Sequence, residues 1–249
     1  MKGTTMADHW HDPAFAREWD RSNGRANPIR LEQLSLVTAL IDQYCAHGER
    51  VLDLGIGTGL VESNLLARRP DLRVDGVDAS DAMLELASER LGPMGDAARL
   101  IRHDLADVAT LVLPEVAYPA VISVQVLHHL PHDRQREVIR FAWDTLRPGG
   151  LFILMERLRI DAEHLRSVYA ATLAWLGEAS GRAGEDTEAF FTRLASKEDY
   201  PATLDEAMEW LREAGFAAAC LHLMLDRAVL VGVKPAVGED RMSERVPIR

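Results

Sequence analysis

Cysteine is nearly absent from this chain of 249 residues: Cys45 and Cys220 are the only two, far apart and outside any metal-ligand spacing. That excludes a disulfide framework and makes a reduced, cytoplasmic setting the expectation. No run approaches roughly 18 consecutive apolar residues, so neither a membrane-spanning helix nor a membrane partner is expected. The opening residues, Met1-Lys2-Gly3-Thr4-Thr5-Met6-Ala7-Asp8, carry no apolar core of the signal-peptide kind. Basic charge is scarce too, with 28 Lys and Arg against 39 Asp and Glu and a net charge of −11. Such a balance gives no broad phosphate-binding footprint, so DNA is not expected as a partner and RNA is disfavoured. No internal repeat occurs. What remains is ordinary for a globular protein, 47% hydrophobic and 27% charged, with length for one sizeable α/β domain plus a small cap.

Apolar periodicity predicts a helix over 28–44, with Asn27 as its N-cap and Pro28 in its first turn. Strands over 50–54, 73–78, 98–103, 120–125 and 151–156 then alternate with helices over 60–69, 80–91 and 133–146, and Pro148-Gly149-Gly150 reads as a turn. Such alternation implies parallel pairing with right-handed crossovers. The 120–125 segment lacks polar alternation, as a strand buried on both faces should. Beyond 157 the pattern changes to a long helix over 162–179, a short one over 187–196, and a helix opened by the capping box Thr203-x-x-Glu206 and closed by Gly215. Two β runs, 217–225 and 228–234, meet at Asp226-Arg227 as a terminal hairpin, and 236–249 reads as a tail.

The most informative stretch is Val51-Leu52-Asp53-Leu54-Gly55-Ile56-Gly57-Thr58-Gly59, a short apolar strand ending in an acid and then a turn with glycine at every second position. Glycines there permit positive φ and close approach of backbone to a ligand. The dinucleotide fingerprint G-x-G-x-x-G would need its third glycine at Leu60, so the spacing here differs. The run resembles motif I of the class I S-adenosylmethionine (SAM)-dependent methyltransferases, over about residues 48–160 and, less closely, the terminal hairpin.

The resemblance implies a Rossmann-like α/β fold, a seven-stranded, mostly parallel sheet of order 3-2-1-4-5-7-6 with strand 7 antiparallel and helices on both faces. A helical cap would come from 1–45 and from the insertion at about 158–201, with the SAM-binding domain spanning 46–235 and a flexible tail over 236–249. It implies SAM as cofactor, S-adenosylhomocysteine (SAH) as product and no metal. Gly55, Gly57 and Gly59 would pass close to the methionine moiety, whose carboxylate suits the turn amides and the following helix N-terminus. Asp53 would orient loop amides or reach the ligand's amino group, or merely brace the turn. Asp78 ends the second strand, where a carboxylate can take both ribose hydroxyls; the alternative is a loop aspartate, Ser80 being the better helix cap. Asp104 would meet the adenine amine and the Leu105 amide a ring nitrogen, unless Asp104 only caps the next short helix. Ala79 and Met83 would pack on the adenosine, though Met83 also fits plain core. Gln125 would lie beside the cofactor at the end of the fourth strand.

After it come His128 and His129, either of which would serve as general base or shape the transfer cavity, with His129 placed first. The Asn/Asp-Pro-Pro-Tyr/Phe element of amide- and amine-methylating relatives is missing here, as are the acids of the catechol-type metal enzymes. Arg30, Arg157 and Tyr169 are the candidate substrate contacts, since an inward guanidinium would bind an acceptor carboxylate or phosphate, surface ion pairs being the alternative. Trp10, His11, Trp19 and Gln33 lie in the same N-terminal cap. Trp175 and Phe190 read as core, and Asp12, Glu18 and Asp20 around Arg17 and Arg21 as a solvated helix face. The expected activity is methyl transfer to an O, N or C atom of a small molecule. Alternatives are SAM modification or cyclisation on the same fold, a tRNA-modifying methyltransferase, a non-catalytic SAM-binding partner, and an NAD-dependent oxidoreductase, which Leu60 and the lack of a Tyr-x-x-x-Lys pair disfavour. The oligomeric state stays open between monomer and homodimer.

Overall fold

The computed structural model describes residues 9–23, 29–161, 163–180, 186–195 and 199–236, so the Asn27 cap and 237–249 lie outside it. Seven strands form one sheet in the order β3-β2-β1-β4-β5-β7-β6: β1 (Arg50–Leu54), β2 (Arg73–Asp78), β3 (Ala98–Arg102), β4 (Tyr118–Val124), β5 (Leu146–Arg157), β6 (Ala217–Met224) and β7 (Arg227–Val233). Pairing is parallel from β3 through β5, and β7 runs antiparallel to both β5 and β6. Around the sheet are α1 (Pro13–Asn23), α2 (Arg30–Tyr44), α3 (Leu60–Arg68), α4 (Asp81–Leu91), α5 (His132–Thr145), α6 (Arg166–Ser180), α7 (Thr187–Leu194) and α8 (Leu204–Ala214).

Strand alternation divides the core between the two faces. Leu52 and Leu54 join Val138, Ile139 and Leu211 on the side of α5 and α8. Val51 points the other way, among Val37 and Ile41 of α2 and Leu65 and Leu66 of α3. Asp53 shares Val51's parity, which sends its carboxyl toward α3. Strand order reverses between β1 and β4, so a crevice opens at the carboxyl ends of these two strands.

Two boundaries depart from the sequence reading because of backbone pairing, and one side chain because of packing. Pro148-Gly149-Gly150 is part of β5 rather than a separate turn, because the Gly149 amide donates to the Lys234 carbonyl (2.7 Å) and the Lys234 amide to that of Gly150 (2.9 Å). The hairpin turns at Leu225-Asp226, not Asp226-Arg227: Met224 pairs with Arg227, and Leu225 takes a φ of +55°. Trp175 is 56% exposed, since α6 turns Leu173 inward against Phe190 and Phe191 of α7 and buries Leu176, while Val168 and Trp175 share the outer face.

Gly55 is where close approach is compulsory. Its φ is +103°, and an added Cβ would stand 2.2 Å from Val126 Cγ2. Gly55→Ala is therefore expected to destabilise the protein by about 2–4 kcal/mol, from left-handed strain plus overpacking. Urea unfolding monitored by circular dichroism checks this; an unchanged midpoint would show that the turn relaxes freely.

Candidate functional site

The glycine turn is pinned from beneath. The amides of Gly55 and Ile56 both donate to the Val77 carbonyl, at 2.8 and 3.0 Å. Asp78 Oδ2 accepts from the Gly57 amide (2.9 Å) and Oδ1 from the Ser80 amide (2.8 Å), so this one carboxylate braces the turn and the entry to α4. Ser80 is the helix cap, accepting from the Met83 amide, as the sequence favoured. Burial raises the Asp78 carboxyl above its usual range, against the lowering from the Ser80 and Gly57 amides.

Behind the turn, Asp53 meets Glu62 of α3, and both are essentially inaccessible. Burial, first, and then the neighbouring carboxylate raise Asp53 well above its ordinary value; burial raises Glu62 as well. Two such desolvated carboxyls side by side do not both ionise in the ordinary carboxylate range. Asp53 Oδ1 and both Glu62 oxygens lack hydrogen-bond partners within the protein. Asp78 is close enough to add to the charge on Asp53, so three carboxyl groups gather around the glycine turn.

Helix α1 closes over this region. Asp20 accepts from Thr58 Oγ1 (2.6 Å) and takes a two-pronged contact from Arg90 Nη2 (2.7 and 2.9 Å), while Arg90 also reaches the Thr58 carbonyl. Asp20 thus corrects the expectation of a purely solvated face: it clasps α1 to the glycine turn. Ser80 Oγ donates to the Trp10 carbonyl (2.5 Å), and Met83 is buried with Ala16 and Ala82 against Trp10 and Trp19. Ala79 is half-buried at the same edge and Leu105 is buried. Asp104 is exposed and caps the following turn through the Ala106 amide (2.8 Å).

At the end of β4 two histidines are held by different acids. His128 is buried, and its Nδ1 is hydrogen-bonded to Glu156, the penultimate residue of β5. Glu156 also accepts from the amides of Leu127 (2.8 Å), His128 (3.3 Å) and Arg157 (2.8 Å). Burial lowers His128 against the pull of Glu156, leaving a neutral imidazole on an ionised carboxylate. His129 Nδ1 pairs with Asp199 Oδ1 (2.8 Å), and Asp199 Oδ2 accepts from Arg157 (2.8 Å). Burial opposes ionisation of Asp199, yet the His129 hydrogen bond and the positive Arg157 beside it bring it to about 2. Asp199 arrives there because the Tyr200 amide donates to the His128 carbonyl (2.6 Å) and buried Gln135 donates to the Tyr200 carbonyl (2.6 Å). The two imidazole rings lie 4.1 Å apart. His128, His129 and Asp199 each offer a potential ligand atom, all within 4.8 Å of one another. The Arg157 cation on Asp199 and the Glu156 contact on His128 already occupy two of these groups.

The three substrate candidates land in different environments. Arg30 is buried and donates to Gln125 Oε1 (3.0 Å). Arg157 faces Asp199 and, at 3.8 Å, Asp226. Tyr169 is half-buried, 6.3 Å from the Phe190 ring in the small core between α6 and α7. Sequence reasoning missed Glu156, Glu62 and Asp199. The first two sit one strand end and one helix turn from named residues, but Asp199 lies 70 positions from His129 with no local signal.

Among known proteins, residues 51–150 match the model of the methyltransferase domain family. A carboxy-S-adenosyl-L-methionine synthase of Chromohalobacter salexigens is 30% identical over 210 residues, covering 82% of this chain and 75% of that protein. The 27-O-demethylrifamycin SV methyltransferase of Amycolatopsis mediterranei is 27% identical, covering 80% of this chain and 78% of that one. The solved magnesium protoporphyrin IX methyltransferase of Synechocystis, with bound SAH, superposes with a TM-score of 0.63 at 19% identity over 91% of this chain and 97% of that one. Other matches are partial, this chain spanning 61% and 60% of two curated relatives and 54%, 64% and 60% of three solved chains.

Proposed function

The chain belongs to the class I SAM-dependent methyltransferase superfamily, and from that premise we propose that it transfers a methyl group to an oxygen, nitrogen or carbon nucleophile of a small molecule. Bound SAM supplies a methyl group already activated on a sulfonium. The protein's work is then to hold an acceptor in line and remove its proton, and positioning alone can be worth about 7–11 kcal/mol. The observation that carries the reading is the Asp199–His129 pair beside the carboxyl end of β4. Asp199 fixes the Nδ1 proton, which leaves the Nε2 lone pair to take one from the acceptor. Arg157 then supports Asp199 rather than the acceptor. Asp53, the glycines at 55, 57 and 59, Asp78, Ala79, Met83, Asp104, Leu105 and Gln125 form the cofactor side, and α1, α2 and the 158–201 segment the acceptor side. The absence of a paired cysteine suits a reducing cytoplasm; Cys45 and Cys220 are both free thiols.

A second reading is favoured by the 30% identity to a carboxy-SAM synthase: modification of SAM itself. Product analysis separates the two, since methyl transfer must release SAH whereas such a synthase leaves a carboxylated SAM. The proposed function requires two results. SAH should raise the melting temperature by several degrees, because ligand at 100 to 1,000 times Kd adds about 3–4 kcal/mol. SAH should also accumulate from SAM in the presence of acceptor. No shift at saturating SAH would sink the cofactor assignment.

A further inference from the structure

A buried guanidinium normally faces a carboxylate. Arg30 is 5% exposed, yet its one described hydrogen bond goes to the neutral amide of Gln125, and its Nε is buried without a partner. No acid among the described residues forms an ion pair with it. Gln125 Nε2 is likewise buried and unpartnered. Alongside lies Gln33, one helical turn on in α2 and fully buried; its Nε2 meets His222 Nδ1 (3.1 Å) while its Oε1 has no partner. Desolvation lowers Arg30 to about 10, so the penalty of burying its charge is present in full at neutral pH and is relieved only above that value.

A buried cation with open donors and no counter-ion destabilises a fold. Gln125 adds to that cost, holding a φ of +58° directly after β4, a conformation disfavoured for a residue with a Cβ. Its neighbour Val126 packs on Gly55 of the cofactor turn, and His128 and His129 follow at once. The unsatisfied donors therefore border the transfer site. Strain and orphaned charge at such a place are resolved by a ligand that brings the missing anion.

We propose that Arg30 and Gln125 form a carboxylate-binding subsite, in which the guanidinium grips the two oxygens of a ligand carboxylate and the Gln125 amide donates alongside. This rests on the SAM-pocket reading above. The carboxylate comes either from the methionine moiety of the cofactor or from the acceptor, and the two sources separate cleanly.

Calorimetric titrations of SAH and of decarboxylated SAH are compared on the wild type, Arg30→Met and Arg30→Lys. Benzoate and benzamide are then titrated into SAH-loaded protein. If the subsite holds the cofactor carboxylate, Arg30→Met weakens SAH by about 10- to 100-fold and leaves decarboxylated SAH unchanged. If it holds the acceptor carboxylate, SAH is unaffected, and benzoate but not benzamide binds the loaded wild type and is lost in Arg30→Met. In either case the melting temperature of ligand-free Arg30→Met equals or exceeds that of the wild type, because a cation without an acid partner has been removed. A lowered melting temperature with neither binding change identifies Arg30 as structural and overturns the proposal. Misfolding of Arg30→Met does not block the test, since Arg30→Lys keeps the charge and should lose the two-pronged grip, with a smaller loss on the same ligand. Wild type that binds no SAH refutes the SAM pocket instead; benzoate titrated into ligand-free protein then still decides whether Arg30 takes a carboxylate.

Discussion

His129→Asn is expected to lower kcat by about 10²–10⁴-fold while SAH affinity stays within about threefold, the signature of a lost general base rather than a damaged pocket. Asparagine keeps a donor for Asp199 Oδ1, now 2.8 Å from His129 Nδ1, but offers no basic nitrogen on the acceptor side. The Asp199 carboxyl, at about 2, stays ionised throughout the working range, so its hold on His129 does not change there. Its depressed value contributes stability that is complete above the ordinary carboxylate range and is lost as pH falls toward 2. Asp199→Asn should show a smaller fall in kcat, since it disturbs the orientation of His129 and leaves Arg157 without its closest acid at 2.8 Å. A kcat for His129→Asn within about threefold of wild type would refute the base assignment and point to an acceptor that needs no deprotonation.

Asp78→Ala is expected to weaken SAM and SAH by at least about 100-fold. One carboxylate braces Gly57 and Ser80 from within the protein and lies where ribose hydroxyls would be received. Losing charged hydrogen bonds worth about 1.5–3 kcal/mol each accounts for that magnitude. Asp78→Asn distinguishes bracing from ligand contact: it keeps the side-chain volume and one oxygen acceptor but removes the charge. Burial raises the Asp78 carboxyl, so wild-type affinity should decline on acidification at a higher pH than an exposed aspartate would dictate, and the Asn variant should lose that dependence. Equal SAH affinity in wild type and Asp78→Ala, measured by calorimetry, would remove Asp78 from the pocket.

Much of the architecture was legible because it depends on local periodicity. The apolar run of β4, the capping box at Thr203 and the glycine turn all announce themselves within a few residues, and each stands where expected. The boundaries that moved depend on partners distant in sequence. Residues Pro148 to Gly150 join β5 only because Lys234 returns to pair with them, and Trp175 turns outward only because α7 claims the opposite face of α6.

The site divides along the same line. The sequence by itself determined the alternation of strands and helices, which is local, and its resemblance to the class I methyltransferases supplied the strand order that the sheet shows. Tertiary structure alone decided which acid serves which histidine, placing Glu156 on His128 and Asp199 on His129. It alone clasped α1 to the glycine turn through Asp20, and left Arg30 buried against an amide rather than an acid. The physical reason is that a side chain's charge state and partners depend on desolvation and on neighbours brought in by chain crossings. A linear pattern carries no record of either.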